Sequence, residues 1–131
     1  MTRPAEEAVR EFFSRVWNTG EDSVAELLFA PEFRHHDLVT HAESDLAGFL
    51  ASIRWIRSLF ATLEFAVLDT VVQDGRVATR WRAGGEHRAT GRSVAIDGMS
   101  FDHVRDGRIV EDWTVWDRLG LQEQLPDEFA S

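Results

Sequence analysis

Val94–Arg118, VAIDGMSFDHVRDGRIVEDWTVWDR, is the stretch on which the fold turns. Two runs rich in β-branched and aromatic residues, Val94–Val104 and Arg108–Arg118, flank Arg105-Asp106-Gly107, the pattern of a β-hairpin. The pattern occurs once more upstream, where Leu63–Val72 and Arg76–Ala83 flank Gln73-Asp74-Gly75. Together they predict an antiparallel sheet of about four strands. The first half of the chain has a different period. Between Pro4 and Asn18, the residues Val9, Phe12, Phe13, Val16 and Trp17 form one apolar helical stripe, stopped by Asn18-Thr19-Gly20. Ser23–Phe29 reads as a short helix ended before Pro31, and Glu32–Leu38 as extended chain or loop. Ser44 caps a third helix through Phe60, whose stripe includes Phe49, Ile53 and Ile56. Helices followed by strands predict a single α+β domain over residues 1–131, with Leu119–Phe129 as a tail.

Hairpin register decides which side chains meet. A two-residue Asp106-Gly107 turn puts Arg105 opposite Arg108 and separates His103 from Asp117. A three-residue loop with Gly107 left-handed in a bulge pairs Val104 with Arg108 instead. His103, Ile109, Glu111, Trp113, Val115 and Asp117 then share a face with Asp97, Met99 and Phe101. Asp-Gly followed by arginine favours this second register. The same treatment of the first hairpin gathers Phe65, Val67, Val71, Val77, Thr79 and Trp81 on one face.

Composition narrows the chemistry. The 131 residues contain no cysteine, no tyrosine and no lysine, so all fourteen cations are arginines. Thiolate, Schiff-base and phenol chemistry are excluded. A net charge of −9 opposes binding to nucleic acid or to a membrane surface, and no run reaches the length of a spanning helix. The N-terminal residues lack a secretory apolar stretch, so a cytoplasmic location is expected.

The remaining groups are carboxylates and histidines. Asp117, placed by alternation with Trp113 and Val115, is either a desolvated acid/base group or an edge carboxylate paired with Arg118 or Arg108. His103 either faces the same cavity or pairs at the rim with Glu111 or Asp102. In Phe33-Arg34-His35-His36-Asp37, an extended chain sends His35 and His36 to opposite sides, so one can enter a pocket. His41 adds a third imidazole nearby, but the spacing matches no metal site. His87 lies in a turn, at a pocket mouth or in solvent. Trp17, Trp55, Trp81 and Trp113 are core or the walls of a pocket for a flat apolar ligand. Asn18 is a helix cap or a polar pocket contact.

Several segments carry a family likeness. The helix ending Phe12-Phe13-Ser14-Arg15-Val16-Trp17-Asn18-Thr19-Gly20, the His35-His36-Asp37 segment and, above all, VRDGRIVEDWTVWDRLGLQEQL (Val104–Leu125) resemble SnoaL-like polyketide cyclases of the nuclear-transport-factor-two-like superfamily. The resemblance implies a cone-shaped α+β barrel, with three N-terminal helices on a curved antiparallel sheet of about four to six strands enclosing a pocket. It implies a cofactor-free and metal-free intramolecular aldol closure of a small apolar or aromatic substrate. By motif, Asp117 would be the acid/base group and His103 its helper. Trp17, Asn18, His35, His36, Trp55, Trp81, His87, Met99, Phe101 and Trp113 would line the pocket, and the protein would be a homodimer. Hydration, dehydration or hydrolysis in the same pocket, or ligand binding without turnover, are the other uses of such a cone. Gly85–Arg92 is shorter than the corresponding family loop, which alters the pocket rim.

Overall fold

The computed structural model describes residues 4–129; the ends of the expected 1–131 domain, residues 1–3 and 130–131, lie outside the described residues. Helix α1 (Ala5–Glu11) runs without a break into a π-helical stretch, Phe12–Asn18. The wider turn lies where Phe12, Phe13 and Trp17 approach a cavity, and π turns often occur at such sites. Val9, Phe12, Phe13 and Val16 are buried, as the stripe requires. A 3-10 turn (Asp22–Val24) leads into the short α2 (Ala25–Leu28). Strands β1 (Phe29–Asp37) and β2 (Glu43–Ser44) follow, then α3 (Leu46–Ser58). Asp45, one residue beyond Ser44, is the cap of α3: its carboxylate accepts from the Gly48 amide at 2.9 Å. The remaining elements are β3 (Phe60–Gln73), β4 (Arg76–His87), β5 (Ser93–Arg105), β6 (Arg108–Trp116), α4 (Arg118–Gln124) and α5 (Pro126–Phe129).

The six strands form one curved, unclosed sheet in the order β2-β1-β6-β5-β4-β3, with β1 parallel to β6 and the other pairs antiparallel. The helices pack on one face of it, and the main core lies between α1, α3 and that face. Leu121 and Leu125 of α4 and the residue after it form a second, smaller cluster with Phe60 and Val94.

Both long hairpins turn on two residues. Asp74 and Gly75 have φ of 51° and 77°, and Asp106 and Gly107 have 54° and 78°, the left-handed pair a type I′ turn needs. Arg105 therefore opposes Arg108, which corrects the three-residue register. A bulge follows, because the pairing shifts between Val104↔Ile109 and His103↔Glu111. The shift restores the parity that the three-residue loop would have given. His103, Glu111, Trp113 and Val115 do share a face with Met99 and Phe101, while Ile109 changes sides. In β3 a shift between Val67↔Trp81 and Asp69↔Arg80 likewise turns Val71 outward, where it is 68% exposed.

Candidate active site

Over the middle of β5 and β6 the concave face of the sheet is polar. Along β5 and β6 it carries Ser100, Asp102, Asp112, Thr114 and Trp116, while Met99, Phe101 and Val115 stand on the convex face, 50%, 41% and 42% exposed. Strand register assembles the inward groups into two rows running across the sheet. The first row is His35–Asp112–Asp102; the second is Asp37–Thr114–Ser100–Thr79. Between the sheet, the π-helical stretch, α3 and α4 lies a cavity of about 650 Å³, with His35, Asp37, Ser100, Asp112 and Thr114 in its wall.

In the first row, His35 Nδ1 and Asp112 Oδ1 are 2.7 Å apart, and the His35 ring stacks on Phe49 at 4.2 Å. The imidazole is 15% exposed and the carboxylate 3%, so the imidazole is the group that reaches the cavity. Burial raises the Asp112 carboxyl above its ordinary range, and the His35 hydrogen bond pulls it partly back. Asp102, opposite Asp112 and fully enclosed, is pushed well above that range by burial and then by the Asp112 charge. Two carboxyls so placed resist ionising together, and Asp102, raised the further of the two, keeps its proton to the higher pH. An ionised Asp112 can only accept, which fixes the His35 proton on Nδ1 and leaves Nε2 as a base.

In the second row, Asp37 Oδ2 accepts from Trp116 Nε1 at 3.0 Å, and its other oxygen accepts from the amides of Val39 and Thr40. Ser100 Oγ accepts from Trp81 Nε1 at 2.9 Å and lies 3.4 Å from Thr114 Oγ1. Trp81 lies flat over Gly98, where any Cβ would sit 2.1 Å from its Cζ2, so this ring position needs a glycine. The Thr79 hydroxyl, buried next to Ser100, has no hydrogen-bond partner. The facing wall is aromatic: Trp17 stacks on Phe65 at 4.3 Å, and Phe65 meets Trp81 at 5.0 Å.

Of the residues expected to line a pocket, Trp17, His35, Trp55 and Trp81 do so. The others lie elsewhere. Asp117 is exposed and caps α4, accepting from the Gly120 amide at 2.9 Å. His103, Met99, Phe101 and Trp113 project from the convex face, because the bulge preserves their shared parity while the sheet curves away from them. His36 also faces out, stacked on Trp113 at 5.2 Å between Glu43 (2.9 Å) and Glu111 (2.6 Å). Asn18 is spent on backbone, donating to Phe65 O and accepting from Phe65 N. His87 is buried between Thr90 and Glu128, where it ties α5 to the β4 end. Asp112, Asp102, Ser100 and Thr114 were missed in the sequence. The signal was present in their alternation with His103 and Glu111. Among the described residues, no three His, Cys, Asp or Glu side chains converge to hold a metal ion.

The cone-like fold is shared with solved structures. The family model for SnoaL-like polyketide cyclases matches residues 7–125, and the chain belongs to that family. Wild-type IdmH from Streptomyces antibioticus, a candidate polyketide cyclase, superposes with a TM-score of 0.87 at 27% identity, over 95% of this chain and 99% of that one. A loop-truncated variant of IdmH gives 0.84 at 28%, over 93% and 99%. AclR from Streptomyces galilaeus, a candidate hydroxylase, gives 0.81 at 20% over 93% and 95%, a likeness of fold alone. No curated protein matches the chain.

Proposed function

We propose that the chain is an acid/base enzyme that closes a ring in a neutral aromatic carbonyl compound by an intramolecular aldol reaction, with the His35–Asp112 pair moving the proton. The observation that carries this reading is that pair: an imidazole in the cavity wall, 2.7 Å from a carboxylate that is almost wholly buried. His35 Nε2 takes a proton from the carbon next to a carbonyl, and the C–H electron pair passes onto the carbonyl oxygen as an enolate. The enolate carbon attacks a second carbonyl of the same molecule, forming the C–C bond. The resulting alkoxide takes the proton back from His35. Asp112 orients the ring and stabilises the imidazolium, and Asp102 stays protonated beside it. Trp17, Trp55 and Trp81 supply flat apolar contact. A second copy of the chain would cover the exposed Met99, Phe101 and Val115 on the convex face.

The test uses 2-tetralone in deuterated buffer, with exchange of its α-protons followed by NMR. Wild type should accelerate exchange, and Asp112→Asn should lower the rate about 10²–10⁴-fold. Equal rates in the two proteins would contradict the reading.

A further inference from the structure

We propose that the Ser100–Thr114 hydroxyl pair, backed by the Trp81 indole, is the site that binds the ligand's carbonyl oxygen and stabilises the negative charge that develops on it. The inference deepens the proposed carbonyl chemistry and rests on it.

A count of protons carries the argument. Trp81 Nε1–H, Ser100 O–H and Thr114 O–H are three donors. One is used by the Trp81 bond to Ser100 Oγ at 2.9 Å. A second is used between the two hydroxyls at 3.4 Å, whichever of them donates. One O–H is left over, and both hydroxyls lie in the cavity wall. The indole N–H bound to Ser100 Oγ polarises that hydroxyl and strengthens what it or its neighbour donates onward. A donor fixed by a buried ring has no reorganisation left to do when charge appears in front of it. Trp81 is 4% exposed and seated over Gly98, so it is such a ring; it acts here as a positioning residue.

Placement relative to the base fits a carbonyl. Thr114 is two residues beyond Asp112 on the same face of β6, about 7 Å along the strand. A carbonyl oxygen lies about 2.4 Å from its α-carbon. The gap is bridged when that carbon approaches the His35–Asp112 pair to about 3 Å and the oxygen approaches the hydroxyls to about 3 Å. One row of the sheet then handles the proton and the next row the oxygen. No other uncharged side-chain donor pair is joined in the cavity wall in this way among the described residues.

The experiment binds 2-naphthol, whose neutral and ionised forms absorb differently and whose anion carries its charge on one oxygen of a flat ring. Its apparent pKa when bound is measured by absorbance titration in wild type, Ser100→Ala, Thr114→Val and Trp81→Phe. Naphthalene, which lacks the oxygen, serves as the packing control. Asp37, Asp102 and Asp112, the carboxylates on the same face, the neighbouring His35, and Glu43 and Arg118 in the cavity wall are unchanged in every variant. We expect the naphthol pKa to rise by about one unit in Ser100→Ala and in Thr114→Val, a tenfold loss of preference for the anion, with naphthalene affinity unaltered. A smaller rise is expected in Trp81→Phe. An unchanged pKa in both hydroxyl variants, equal weakening of both ligands, or no binding of 2-naphthol by wild type would overturn the proposal. The readout breaks no C–H bond. A wild type that prefers naphtholate yet leaves 2-tetralone unexchanged therefore sinks the proton-transfer reading and supports this one, and the converse holds.

Discussion

At the scale of single residues, three carboxylates of similar sequence setting have separate fates. Asp112 lies behind an imidazole, Asp102 is enclosed with its carboxyl raised well above the ordinary range, and Asp117 caps a helix in solvent. Each has its own test. The raised Asp102 carboxyl favours the fold below the ordinary carboxylate range, and that contribution is lost as pH rises through its folded-state value. Asp102→Asn removes the dependence. The melting temperature of that variant should therefore gain on wild type between about pH 4 and about pH 8. A difference that stays constant with pH would contradict the assignment. Asp117→Ala should cost about 0.5–2 kcal/mol in denaturant unfolding, the worth of an N-cap, and leave exchange of 2-tetralone intact. The His35-His36 ambiguity in the sequence was one of direction only. An extended chain separates the two, and register with β6 chose His35, which meets Asp112.

At the scale of elements, period distinguished helices from strands and placed both hairpins, because those signals are local. Bulges are not local. The extra residues near Ile109 and Leu68 change which side chains face inward beyond them, and nothing in their composition announces it. The rule that apolar residues point inward also misled on β5 and β6. There the inward face floors a cavity and carries serine, threonine and aspartate, and the apolar set of Met99, Phe101 and Val115 is outside. A sheet that serves a ligand inverts the usual alternation. Gly98 is where element geometry and site meet. Gly98→Ala would push a methyl against the Trp81 ring and loosen its bond to Ser100. We expect a loss of about 1–3 kcal/mol in chemical denaturation. Unchanged stability would show that the ring has room to move.

At the scale of the whole molecule, a curved six-stranded sheet with helices on one side leaves a cavity that its own core does not fill. The α+β class and the family were legible in the sequence, since the hairpin motif spans contiguous residues. The site was legible in part. Trp17, Trp55, Trp81 and His35 line the cavity, while Asp117 caps α4 in solvent and His103 projects from the convex face. The convex face makes a prediction about assembly: a second copy should cover it, so sedimentation should give twice 14.9 kDa, and Phe101→Glu should return the single-chain mass. A single-chain mass for wild type would contradict it. The most direct test of the central claim is the exchange rate of the 2-tetralone α-protons in wild type, His35→Gln and Asp117→Ala, side by side. We expect His35→Gln to lose at least about 10²-fold and Asp117→Ala to match wild type. Full exchange in His35→Gln, with loss in Asp117→Ala, would contradict the account.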